Sequence, residues 1–389
     1  MPKVRLVVAF AMLVVCVLAG GTMPVAAGPV GGFKVLKPIE SGGLMLFPVV
    51  RTNGRSGQDD PFLTLDEELK SGEVEVTEAG RVRPLVRTRG GTLPRYSGDQ
   101  VNTLVLVNHS KRPLLLLAGE IVTGGKQDRV IAKDRIVPAE ADPIDLSVFC
   151  IEHGRWTGTS DKFGATANTS AASFMVQPAV RQQAMVAKDQ QRVWNSVSET
   201  MSVMASAAPM SGGVSAGGLH GDALRSGSSA LGTTSYAKAM QLSSVSAKVD
   251  EASAGLTQSR EQVLAVLKQE HAVGVVVAVR GEVIWADVFA NTDLLARYWT
   301  KLVRSYAAEV LSGASQHDAA TMEDAQRFLE SPMRGVETSE GEVGVYRYRE
   351  VKTGATDQFA LESLLPGVTY DVHISRLKIK NAWERGVSF

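Results

Sequence analysis

The sequence predicts an α+β fold, a largely antiparallel sheet with several packed helices, following an N-terminal signal peptide. Three observations predict it. Short alternating or apolar runs fill the first part of the chain, helical periodicity dominates the middle, and strand patterns return at the end. Strands, then helices, then strands do not alternate as βαβ units would. Composition narrows the class further. In 389 residues there are 41 basic and 41 acidic side chains, 37 Gly, 15 Pro and two Cys. With a mean hydropathy near zero, these values exclude collagen, a disulfide-stapled mini-protein and a multi-span membrane protein. The balanced charge also argues against a dedicated nucleic-acid binder.

Residues 1–27 read as a secretory signal. Lys3 and Arg5 precede an apolar run from Leu6 to Ala19, and small residues follow, ending Val25-Ala26-Ala27. The run falls short of the roughly twenty residues needed to span a bilayer, and Val25 and Ala27 suit a signal peptidase. Cleavage is expected after Ala27, giving a secreted or periplasmic chain without a membrane span. That removes two basic groups and no acidic ones, leaving 39 against 41. Cys16 goes with the leader, so Cys150 is the one thiol of the mature chain.

From Gly28 to Ser160 most elements read as strands. Leu44 to Val50 is an apolar run, and Glu73-Val74-Glu75-Val76 alternates as a half-buried strand. Thr64 and Glu67 have capping-box spacing for a short helix that Gly72 closes. Val101 to Asn108 and Pro113 to Ala118, with Asn108 to Arg112 between them, predict a β-hairpin; two further strands fall around Arg129 to Val137 and Ile144 to Ile151. Residues from Gln177 to Met204 turn helical, with Ala184, Val193, Trp194 and Val197 as an apolar stripe and Trp194 expected in the core. Residues 205–234 hold seven Gly, six Ser and six Ala, a composition expected to form a flexible surface insertion.

Helices are expected around Tyr236 to Leu242 and Glu261 to Gln269. Val273 to Val279 and Glu282 to Phe289 flank Arg280-Gly281, a tight-hairpin signal. After Asn291, a good N-cap, Leu295, Trp299, Leu302, Tyr306 and Val310 recur at three- and four-residue steps, the clearest amphipathic helix in the chain. A short helix near Met322 to Leu329 and strands around Glu342 to Val351, Gln358 to Leu364 and Tyr370 to Leu377 complete the pattern. The expected organisation is a leader over 1–27, an α+β domain over 28–316 containing the insertion, and a β-rich extension over 317–389 that can belong to the same domain.

Two segments carry candidate chemistry. In Gly119 to Arg129, the spacing of Gly119 and Gly124 invites comparison with a phosphate-binding loop, but an extra Gly precedes Lys126 and Gln127 stands where Ser or Thr is needed. The functional reading is that Gly124 and Gly125 let the backbone approach a ligand, with Glu120, Lys126, Gln127 and Arg129 as polar contacts. The plain alternative is a glycine turn between two strands. The second segment, Cys150-Ile151-Glu152-His153-Gly154-Arg155-Trp156, ends an apolar strand. Glu152, Arg155 and Trp156 can recognise an anionic, planar ligand, because Arg binds phosphate bidentately and Trp offers a stacking face; a Glu–Arg pair over a packed Trp is the alternative. Cys150 reads as a small buried hydrophobe rather than a nucleophile. The six His residues lack metal-ligand spacing, so no metal and no cofactor is expected.

Together these segments, Leu117-Ala118-Gly119-Glu120 with Gly124 to Arg129 and Cys150 to Trp156, resemble the ARG and Rhodanese-Phosphatase-superfamily-associated Protein domain. Arg192-Val193-Trp194, the hairpin from Gly274 to Phe289 and the helix from Leu302 to Leu311 add to the resemblance, which covers roughly residues 33 to 315. It implies an α+β domain with no established activity, a sensor or accessory domain near nucleotide or ADP-ribose chemistry. The sequence supports three readings. The leading one is an exported, non-enzymatic binding or sensor domain for a nucleotide-like or anionic ligand. The second is a hydrolase with Glu120 or Glu152 as general acid or base. The third is an envelope interaction module acting through the insertion.

Overall fold

The computed structural model describes residues 26–27, 32–52, 60–79, 103–155, 158, 160, 162–164, 174–207, 231–312 and 318–379. The expected leader up to residue 25, Trp156 and positions 208–230 of the expected insertion lie outside the described residues. The fold is α+β with largely antiparallel sheets; three β structures organise it, and Ala26–Ala27 with Met333–Arg334 makes a small two-stranded pair beside them.

A long sheet runs in the order Val336–Glu342, Tyr346–Lys352, Thr356–Leu365, Val368–Lys378, Glu282–Phe289, Ala272–Val279, Leu44–Arg51, Phe33–Val35. Strands from both ends of the chain therefore join one sheet, with the Ala272–Val279 hairpin in the middle. That hairpin forms as its sequence predicts: Val279 pairs with Glu282, and the linking Arg280 and Gly281 both adopt positive φ, 51° and 86°, as a two-residue turn with the twist of its strands requires. Leu46, Val275, Val277, Trp285 and Phe289 face one side and join the main core. Phe47, Val49, Val276, Ala286 and Val288 face the other and pack with Ala325 and Leu329 of the helix Met322–Glu330. The main core is closed by the helix Thr292–Ser312, whose Leu295, Trp299, Leu302, Tyr306 and Val310 are all buried; Asn291 caps it by accepting from the Leu294 N–H at 2.8 Å.

The second structure is a closed barrel in the order Arg129–Ile131, Ile144–Cys150, Thr103–Asn108, Val74–Glu78, Lys162–Gly164, Ile121–Gly124. Val76, Leu104, Leu106, Val122, Ile131, Leu146, Val148 and Phe163 form one cluster and fill it. The third is a three-stranded sheet of Arg135–Val137, Leu114–Leu116 and Leu63–Thr64. Beside it, the short helix Leu65–Ser71 has the capping box of Thr64 and Glu67 and ends at Gly72 in the left-handed region.

Two local expectations fail, the hairpin and a core position for Trp194, while the helix expected after Gln177 forms in pieces. Thr103–Asn108 and Leu114–Leu116 do not form a hairpin: the first pairs with Val74–Glu78 and Ile144–Ser147, the second with Arg135–Val137. Asn108 turns the link aside, its amide donating to the carbonyls of Arg112 at 3.1 Å and Pro138 at 2.8 Å, so the two runs enter different sheets. The helical stretch after Gln177 breaks into Pro178–Gln182, a π turn over Gln183–Ala187 and Gln190–Ala207, with Lys188 at a φ of 52°. Trp194 is only half-buried, its ring meeting the His153 ring edge-on at 4.7 Å.

Candidate functional site

Strand alternation extends the apolar barrel lining by one polar layer. Val76, Ile131 and Val148 point inward, so Glu78, Arg129 and Cys150, two residues along their strands, lie at the barrel's mouth. Arg129 Nη2 is 3.8 Å from Glu78 Oε1, with both side chains buried. No motif marks Glu78 in the sequence; the available signal is an acid standing on the same alternation as Val74 and Val76.

The segment Gly124 to Asp128 folds over this mouth. Gly124 and Gly125 have φ of +122° and +51°, and a Cβ on Gly125 would stand 2.2 Å from Phe163 Cζ. Glycine is needed there both for the backbone and for the approach. The loop's N–H groups are turned onto the protein itself. Gly124 donates to Asp128 Oδ1 at 3.1 Å, Gly125 to Ser160 Oγ at 3.1 Å, Lys126 to Glu78 Oε1 at 3.2 Å and Asp128 to Glu152 Oε2 at 3.1 Å. A phosphate loop would aim such groups at its ligand; here the protein's own carboxylates and a hydroxyl occupy them.

Arg155 closes the arrangement. Its guanidinium donates to Glu152 Oε2 at 2.5 Å and to the Gly125 carbonyl at 3.1 Å, and lies 3.6 Å from Asp128 Oδ1. Those charges and hydrogen bonds, the Glu152 bond foremost, raise its pKa. Burial pushes the Asp128 carboxyl up; the Ser235 hydroxyl, donating to Oδ2 at 2.5 Å, opposes that shift, while the Glu152 charge adds to it. Gln127 donates its amide to the Glu152 carbonyl at 2.8 Å. The Arg155 side chain is 18% exposed and Lys126 is half-buried, so these two form the rim. Cys150 lies beneath, its thiol pushed up to about 11, chiefly by burial and against the pull of Arg129.

Of the residues predicted for a site, Gly124, Gly125, Lys126, Gln127, Arg129, Glu152 and Arg155 therefore meet at one barrel end. Glu120 does not join them. Its Oε1 is 2.6 Å from Lys301 Nζ and its Oε2 accepts the Leu117 N–H at 2.7 Å; Lys301 also holds Asp66 at 2.5 Å. Burial raises the Glu120 pKa against the lowering effect of Lys301.

A second polar cluster, invisible to motif reading, lies fully buried between barrel, helices and long sheet. Arg181 clasps Asp287 with both terminal nitrogens, at 2.9 and 3.3 Å, and its guanidinium stacks 4.4 Å from the Trp285 ring. Asp287 also accepts from Tyr306 and, at 2.8 Å, from Ser375. His373 bridges two carboxylates, with Nδ1 2.7 Å from Asp134 and Nε2 3.2 Å from Asp287. Burial opposes a charged imidazole, but the two aspartates hold it up to about 9. Burial likewise opposes the Asp287 charge, and Arg181 and His373 overcome it to hold that carboxyl well below its ordinary range. With two anions and two cations the cluster is neutral, and each charge has its partner. The Leu117–Glu120 segment joins the two networks: Ala118 N–H donates to Asp134 Oδ1 at 2.7 Å, and Gly119 leaves room for Arg181, whose Cγ would be 2.7 Å from a Cβ there.

Among the described residues, no group of three or more His, Cys, Asp or Glu is placed to hold a metal ion, and no helix is long and apolar enough to cross a membrane. The molecule is thus an α+β domain in which a small barrel with a charged mouth leans on a long antiparallel sheet. The model of the ARG and Rhodanese-Phosphatase-superfamily-associated Protein domain, ARPP-1, matches residues 32–376, and the chain belongs to that family. The match runs past residue 316, through the strands that complete the long sheet. No curated protein and no solved structure matches the chain.

Proposed function

We propose that this chain is an exported, non-enzymatic binding domain that takes an anionic or nucleotide-like ligand at the barrel mouth. The observation that carries the reading is the rim itself: Arg155, partly exposed, is anchored on the carbonyl of Gly125, the residue before half-buried Lys126, over a glycine turn without side chains. Because the loop N–H groups are engaged, the ligand's negative charge is met by these two side chains, and binding draws Arg155 partly away from Glu152 and Asp128. A hydrolase is less well supported. It needs carboxylates converging on one substrate, whereas Glu120 is committed to Lys301 and Glu152 to Arg155, and a thiol at about 11 is a poor nucleophile at neutral pH.

The test is calorimetric titration of the chain from Gly28 onward with ADP-ribose, ADP and inorganic phosphate, in the wild type and in Lys126→Ala and Arg155→Lys. Saturable binding that weakens in both variants, with unchanged melting midpoints, supports the site. Absence of binding by all three, or binding indifferent to both substitutions, overturns it. N-terminal sequencing of the expressed protein tests export separately: a chain starting at Gly28 is expected, and retention of the leader refutes that part.

A further inference from the structure

The long sheet treats its two edges differently. At Phe33–Val35 the edge is plugged: the Val35 N–H donates to Gln326 Oε1 at 2.7 Å, and Gln326 Nε2 donates to the Phe33 carbonyl at 3.0 Å. One side-chain amide stands in for the missing strand. At the opposite edge, Val336–Glu342 pairs with Tyr346–Lys352 over seven residues without a register shift, and among the described residues nothing pairs with its outer side. The usual protections of an exposed edge are proline, a bulge, charged side chains, lysine above all, or a cover. This strand, Val-Glu-Thr-Ser-Glu-Gly-Glu, has no proline, no bulge and no lysine.

Its chemistry is one-sided. Glu337, Glu340 and Glu342 are its only charged residues. Lys133 lies 2.7 Å from Glu340 and Arg135 3.6 Å from Glu342, yet those carboxylates stay 48% and 46% exposed. Val336 and Val343, at the two ends, are 58% and 101% exposed, two of the three exposed large hydrophobic residues in the described structure. Open backbone groups, acids along the strand and an exposed valine at either end coincide on this strand.

We propose that Val336–Glu342 is a docking edge for an extended segment of another protein bearing lysine or arginine at alternate positions, which adds to the sheet as a further strand. The backbone ladder supplies affinity, and the alternating basic side chains, all on one face, meet Glu340 and Glu342 on the side that Lys133 and Arg135 leave exposed and supply selectivity. A second copy of this chain is the wrong occupant, since two such strands set six glutamates along one seam, where like charges oppose pairing. This surface is independent of the barrel mouth.

The experiment measures fluorescence anisotropy of a labelled peptide of about eight residues alternating Lys and Val, against a Glu–Val counterpart, each added to the full chain. In an antiparallel strand adjacent N–H groups point to opposite sides, so of Thr338→Pro and Ser339→Pro one removes an outward donor and one breaks the ladder. The basic peptide is expected to bind at micromolar concentrations in low salt, and the acidic one at least ~tenfold more weakly. The proline variant that melts as the wild type does should lose at least ~tenfold in affinity for the basic peptide. Should both variants melt early, the triple change Glu337→Gln, Glu340→Gln, Glu342→Gln decides by the same tenfold criterion. No binding of the basic peptide, equal binding of both peptides, undiminished affinity in the deciding variant, or dimers in sedimentation that this edge holds together would each overturn the proposal.

Discussion

His373 Nδ1 lies 2.7 Å from Asp134 Oδ2, both side chains fully buried, and this contact ties the strand Val368–Lys378 of the long sheet to the link that leaves the barrel. Through its other nitrogen His373 reaches Asp287, and through Asp287 it reaches Arg181. The junction between the two β structures is therefore ionic at its centre and apolar around it.

The His373 imidazole, ordinarily near 6.5, is held up to about 9 in the folded chain. Folding then favours the protonated ring, so this contribution is complete below the unfolded value and disappears as pH rises through about 9. The expected loss is on the order of 3 kcal/mol. Urea midpoints measured from pH 6 to 9.5 should fall for the wild type and stay flat for His373→Gln, which starts lower. A wild-type midpoint constant over that range would rule out a charged imidazole.

Asp287→Ala should be among the most destabilising single changes, by about 3–5 kcal/mol. It strands Arg181 in the interior, leaves His373 with Asp134 alone, and removes the acceptor used by Tyr306 and Ser375. Because the Asp287 carboxyl is held well below its ordinary range, its contribution is present above the unfolded value and is lost as pH falls through the folded one. Chemical denaturation at pH 7 measures the first effect, and comparing wild type with variant down to pH 2.5 measures the second; a cost under ~1 kcal/mol would mean the cluster relaxes.

Gly125→Ala and Gly154→Ala both place a side chain at positive φ, 51° and 90°, but only the first meets an obstacle, the Phe163 ring. Gly154→Ala should cost ~1 kcal/mol of backbone strain. Gly125→Ala should cost roughly 2–4 kcal/mol and disturb the barrel mouth. Equal melting midpoints for the two would contradict the close packing of the loop on Phe163.

Cys150 should resist a disulfide reagent at pH 8 in the folded state and react at once in denaturant, because the thiol is buried and its pKa stands at about 11. Fast reaction of the folded protein would place the thiol at an open mouth instead.

What the sequence disclosed was local. The Arg280-Gly281 hairpin, the Thr64–Glu67 capping box, the Asn291 cap and the stripe on Thr292–Ser312 all formed as read, since each depends on residues within a turn or two of one another. The grouping of Gly124 to Arg129 with Glu152 and Arg155 was also legible, because both segments end paired strands, Arg129 lying opposite Cys150. Glu120 does not group with them: it precedes the strand Ile121–Gly124 at the end opposite the loop, and its partner is Lys301, 181 residues away.

By itself, then, the sequence determined the α+β class, most elements, their caps and turns, and the family, because periodicity, capping and short motifs are carried by neighbouring residues. The tertiary structure alone decided that the apolar runs at Thr103–Asn108 and Leu114–Leu116 part company, that Glu78 enters the barrel mouth, and that Asp134, Arg181, Asp287 and His373 neutralise one another in the core. Arg181 meets Asp287 across 106 residues and Asp134 meets His373 across 239. A buried charge is tolerable only beside its opposite, and which opposite it finds is set by how the sheets close.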